Sequence, residues 1–133
     1  MTIKTLEDSN AELMQNLIGS SVWKTPPPSE QLSLSLARWS VMETQTVDHH
    51  LVGYNLGDRE GRVSTAIVEF DPVTSKATTR SGRIYHLVGK SGYDSDGSWV
   101  WENWSRANRL SGKDVTEQYE KRIADAGTHI LQE

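Results

Sequence analysis

The sequence predicts an α+β fold: an N-terminal helix, a five-stranded antiparallel meander and two C-terminal helices. Three observations carry this expectation. Apolar residues recur at helical spacing near the N-terminus and again after Ser98. Five segments between Gln31 and Val88 alternate in polarity or are rich in β-branched residues. Short stretches of turn chemistry separate those segments. Strands joined by short turns pair most readily as antiparallel neighbours, and the sheet is expected to curl into a half-barrel. The 133 residues fit a single domain, 1–133, with a Pro-rich connector over 20–30 inside it.

Thr5 to Ile18 reads as the first helix. Thr5 and Asp8 stand as an N-cap with an acid at N3, and Leu6, Leu13, Met14, Leu17 and Ile18 form one stripe before Gly19. Pro26, Pro27 and Pro28 then forbid a helix and act as a stiff spacer, in preference to a ligand for a proline-binding groove. Gln31 to Glu43 is the first strand, with Leu32, Leu34 and Leu36 on one face. Past Arg38 the pattern inverts to Trp39 and Val41, the mark of a β-bulge or of a crossing between cores. The further strands are Val47 to Tyr54, Gly61 to Asp71, Ser75 to Arg80 and Arg83 to Val88. Asn55–Asp58, Asp71-Pro72 and Ser81-Gly82 supply the turns. Gly89 to Gly97 is a loop by composition, and Ser98 to Arg109 reads as a helix with an alternating strand as its rival. A final helix starts at Asp114 and Glu117, carries Val115, Tyr119 and Ile123 as its stripe, and ends at Gly127. Leu34, Leu36, Ile67, Val68, Leu87, Leu13 and Leu17 are the expected core.

Composition removes several chemistries. Without Cys there is no disulfide, thiolate nucleophile or Cys-ligated metal. A net charge of −4 argues against a general nucleic-acid coat, which needs positive charge to release counterions. The first residues carry no apolar signal core, and no apolar run approaches a membrane span, so a soluble cytoplasmic protein is the expectation.

Few residues point to chemistry. Asp94-Ser95-Asp96 opens like a calcium loop, but positions 6 and 12 of such a loop call for Gly and Glu; Trp99 and Ser105 stand there, so a helix cap is the better reading. His49 and His50 are adjacent on a strand and point to opposite faces. A meeting of either with His86, near Glu69, would resemble the acid–base kit of a small ribonuclease. There is no phosphate loop, nucleophile elbow or zinc-protease motif. The glycines at strand ends fit turns. No cofactor and no metal is expected.

Two surfaces suggest binding. Lys76, Arg80, Arg83 and Lys90 follow one hairpin, with Arg59 and Arg62 before it and Tyr85 and Tyr93 interleaved, which suits an acidic partner or nucleic acid. On a helix, Val100, Trp101 and Trp104 share a face while Trp99 lies off it, leaving Trp99 near the surface with Tyr93.

The stretch Arg62 to Gly89, RVSTAIVEFDPVTSKATTRSGRIYHLVG, resembles a pattern in small bacterial proteins of phage and mobile-element context. In that pattern a strand ending in Asp leads through a turn, a Thr-rich strand and Ser-Gly into a Tyr-x-Leu strand. The resemblance covers about a fifth of the chain and implies no activity and no catalytic residue. The expected function is therefore a non-enzymatic protein-binding module of phage or mobile-element origin, acting through a protein partner or self-association. The binding residues are Trp99, Tyr93, Arg80, Arg83 and Tyr85. A nucleic-acid-binding regulator using the basic hairpin and a small His/Glu-dependent nuclease or hydrolase are the alternatives.

Overall fold

A computed structural model describes residues 32–132. The predicted helix Thr5 to Ile18, with Leu13 and Leu17, and the Pro-rich connector lie outside the described residues. Within them the fold is mixed α/β. The order is β1 (Ser33–Thr44), β2 (His49–Asn55), β3 (Glu60–Asp71), β4 (Lys76–Thr79), β5 (Ile84–Val88), α1 (Ser95–Ala107), β6 (Gly112–Asp114) and α2 (Thr116–Gln132).

The neighbours β1–β2, β2–β3, β3–β4 and β4–β5 are antiparallel, as expected. The whole sheet is not. β5 returns to β1, and a meander of five strands leaves its fifth running the same way as its first. That pair is consequently parallel, from Ser33↔Ile84 to Ala37↔Val88. The pairings run from β1 through β2, β3, β4 and β5 back to β1, in place of the expected curled half-barrel. A sixth strand, β6, pairs antiparallel with the far end of β1 through Met42↔Asp114 and Thr44↔Gly112. Its three residues, Gly-Lys-Asp, carry no strand signal; their pairing comes from the neighbour and not from propensity.

The apolar inversion of β1 is a bulge. Ala37 pairs with Tyr54 and Ser40 with Val52, so Arg38 and Trp39 together oppose one residue, Gly53. Arg38 takes a left-handed φ of 46° there. The extra residue re-phases the strand, so Trp39 and Val41 face the same core as Leu34 and Leu36. That core also holds Leu51, Phe70, Tyr85 and Leu87 and is covered by Val115 and Tyr119 at the start of α2. A second core lies on the other face of β2 and β3, where Val52 and Val63 meet Val100, Trp101 and Trp104 of α1.

Three local expectations are corrected. Val47 is not in a strand: it sits at φ 68° in the β1–β2 turn, donating its N–H to the Thr44 carbonyl. Val68 is not in the core. It is the unpaired residue of a bulge between Ile67↔Thr79 and Glu69↔Thr78, and it is 60% exposed. Gly127 does not end the last helix, which continues to Gln132. Leu34, Leu36 and Leu87 are buried and Ile67 is partly buried.

Close backbone contact fixes α1. A Cβ on Gly61 would fall on the backbone of Asp96 and Gly97, and one on Gly97 would fall on the backbone of Gly53. These glycines serve helix–sheet approach as well as turns.

Two outcomes follow. Leu36→Ala should cost about 2–5 kcal/mol in urea unfolding, while Val68→Ala should stay within about 0.5 kcal/mol; equal losses would contradict the β3 bulge. Gly61→Ala should destabilise by about 1–3 kcal/mol, because backbone atoms yield less than a side-chain tip. Gly57→Ala, where the nearest atom is Asn55 Oδ1 at 3.6 Å, is the control and should be close to neutral.

Candidate interaction surface and the histidine sites

The loop before α1 is fastened to the β1 bulge. Trp39 Nε1 donates to the Gly89 carbonyl at 3.1 Å, and the Gly92 N–H donates to the Trp39 carbonyl. Arg38 Nε donates to Asp94 Oδ1 at 2.9 Å, while its guanidinium lies 4.8 Å from the centre of the Tyr54 ring. Asp94 in turn caps α1, accepting from the Gly97 N–H at 2.8 Å. The Asp94–Asp96 stretch is thus the helix start, as the capping reading held, and the helix begins at Ser95, three residues ahead of its expected start.

Tyr93 stands just before this cap and is 74% exposed; Trp99, in the first turns of α1, is 46% exposed. Val100, Trp101 and Trp104 face inward, as their spacing required. Between α1 and the β1–β6 pair lies a cleft of 190 Å³. Its apolar wall is Met42, Val52 and Trp101, Tyr93 forms its rim, and Ser40 and Ser98 line it. Two carboxylates, Asp94 and Asp114, complete the lining. Asp114 Oδ1 accepts from the Thr116 N–H at 2.9 Å, and no salt bridge reaches Asp114 among the described residues.

The basic hairpin does not form one solvent face. Arg83 is 5% exposed and Tyr85 1%. Tyr85 points into the first core, where its hydroxyl accepts from Nε of the equally buried Arg62 at 3.2 Å. Arg80 is half-buried and paired with Asp48 at 3.2 Å. Lys76 and Lys90 are exposed. Of the five expected binding residues, Tyr93 and Trp99 reach the surface, Arg80 reaches it in part, and Arg83 and Tyr85 do not.

The adjacent histidines part, as strand geometry dictates. The β1–β2 register sets His49 opposite Glu43, and His49 Nε2 lies 2.9 Å from the Glu43 carboxylate. A carboxylate only accepts, so in the neutral ring Nε2 carries the proton and Nδ1 accepts from the Tyr119 hydroxyl at 2.6 Å. Burial raises the Tyr119 pKa, which keeps the phenol protonated in this chain. Tyr119 is buried edge-on against Phe70 with Arg122 beside it, so the chain fastens α2 to the β1–β2 hairpin. Sequence reasoning missed it; the six-residue spacing of Glu43 and His49 across a turn is the signal that could have found it.

His50 faces the second core, fully buried, with its ring centre 4.8 Å from that of Trp104. Its Nδ1 donates to the Ser64 carbonyl at 2.9 Å, which leaves Nε2 as the unprotonated nitrogen; Nε2 and Trp104 Nε1 are both buried without a hydrogen-bond partner. His86 stands apart, in an open groove lined by Ser33, Ser35 and the Asn55–Gly57 turn. The three histidines form no shared acid–base cleft. No group of three or more His, Asp or Glu side chains able to hold a metal occurs among the described residues.

Burial lowers the His50 pKa below its ordinary 6.5; the Ser64 hydrogen bond and Asp48 oppose this, while Arg80 and His49 add to it. The unfolded chain therefore takes up the proton first. The stability contributed by the neutral ring is present above about pH 6.5 and is lost as pH falls through that value and the lower folded one. Thermal melts between pH 8 and pH 5 should show a loss for the wild type below about pH 6.5 that His50→Gln reduces. Parallel profiles for the two proteins would contradict a neutral buried His50.

No protein-family model, curated protein or solved structure matches the chain, so a functional reading rests on this geometry.

Proposed function

We propose that the chain is a non-enzymatic protein-binding module whose contact surface centres on Tyr93 and Trp99. The observation that carries this reading is the exposure of two large aromatic side chains in a protein that buries Trp39, Trp101, Trp104, Tyr85 and Tyr119. Aromatic side chains anchor protein interfaces because they desolvate a large area with few rotatable bonds. The support beneath them is firm: the Asp94 cap, the Arg38 pair and the Gly53–Gly97 approach all hold the start of α1. A surface that is already ordered loses little entropy on binding.

The two alternatives have less behind them. A nucleic-acid regulator needs its cations on one solvent face, and burial of Arg62 and Arg83 divides the basic set. A His/Glu hydrolase needs converging acid and base groups in a cleft, and His49 and His50 serve opposite faces. A phage or mobile-element origin and a cytoplasmic setting belong to the same proposal.

A photoreactive phenylalanine analogue at Tyr93 or Trp99, expressed in native cells, tests it. The expected result is a discrete adduct, to a second copy or to another protein, from both positions and not from Val73 on the β3–β4 turn. Absence of adducts from both positions, or the same adduct from Val73, would overturn the reading.

A further inference from the structure

We propose that the cleft beneath Tyr93 receives a lysine side chain of the bound partner. This rests on the protein-binding reading and adds the chemistry of the contact. The cleft combines an apolar and a polar lining. Met42, Val52 and Trp101 supply an apolar wall for an aliphatic stem, while the Tyr93 ring and the Asp114 carboxylate suit a positive head group. The 190 Å³ volume is of side-chain size.

Charge selects the sign of the occupant. Asp94 is already engaged by Arg38 and by the Gly97 N–H, so its charge is offset. Asp114 accepts from the Thr116 backbone N–H, and among the described residues no salt bridge engages it. The chain's net charge of −4 favours the approach of a basic partner. An anion would meet two carboxylates here. A hard metal ion seeks about six oxygen ligands and keeps its water, which an aromatic and apolar wall does not provide.

Geometry selects lysine over arginine. One Asp114 oxygen already accepts from the Thr116 N–H, so a planar guanidinium fork would have to share that oxygen with the backbone. An ammonium group is a point charge and needs only one.

Capped Gly-Gly-Lys-Gly-Gly peptide titrated into the isotopically labelled full chain is the test, with norleucine and arginine versions as the other arms. The lysine peptide should shift the Trp101 indole and Ser98 signals saturably, with a dissociation constant on the order of 1 mM. Norleucine should leave them unmoved, and arginine should bind several-fold more weakly. Asp114→Asn, whose amide oxygen can still accept from Thr116, should weaken the lysine peptide by about threefold or more, and Tyr93→Leu by a similar factor. Equal binding of norleucine, unchanged affinity in Asp114→Asn, or no shift at roughly 10 mM lysine peptide would each overturn the proposal. Such a failure with cross-links from Tyr93 and Trp99 intact leaves the interaction surface standing. Loss of the cross-links removes that surface itself.

Discussion

The bulge at Arg38 and Trp39 is the constraint on which the rest of the fold depends. An unbroken β1 would send Leu34 and Leu36 to one face and Trp39 and Val41 to the other. The extra residue keeps all four in one core and turns the strand, so that its first half meets β5 and its second half meets β6. A left-handed φ on a non-glycine residue carries a strain cost. Arg38 offsets it with contacts available only from that position, the Asp94 carboxylate and the face of Tyr54. The same residue therefore bends β1 and fixes the cap of α1.

That arrangement explains how a six-stranded sheet supports two cores. The inner core needs strand pairing on both sides of β1, and the parallel β1–β5 ladder supplies the second side. The outer core needs α1 close to β2 and β3, and the glycine contacts allow a spacing that any side chain would prevent. β2 carries a polar group toward each core, His49 part-buried and His50 buried. His49 satisfies its ring nitrogens through Glu43 and Tyr119, whereas His50 satisfies one and leaves the other against Trp104. Groups of the first kind hold elements together, and buried groups of the second kind make stability depend on protonation.

The proposed interaction surface is built on the same node. Tyr93 leads into the cap that Arg38 holds, and the cleft beside it lies between α1 and the strand end that β6 completes. Its aromatic rim and open carboxylate are displayed by rigid elements, which suits selective contact with a partner side chain.

Much of this was legible in sequence. Alternation located β1 to β5, turn residues separated them, and the inversion after Leu36 marked the bulge. Helical spacing sent Trp101 and Trp104 inward and Trp99 outward, and adjacency alone sent His49 and His50 to opposite faces. These are local properties, fixed by the period of a strand or helix. What sequence did not determine depends on partners distant along the chain. The parallel closure of β5 on β1, the recruitment of Gly112–Asp114 as a strand, the burial of Arg62, Arg83 and Tyr85, and the exposure of Val68 follow from register and pairing. Sequence counted Arg83 and Tyr85 as surface because charge and alternation suggested an open hairpin. Once the strand pairings returned to β1, the face carrying them became the inside, and only the tertiary structure could decide that.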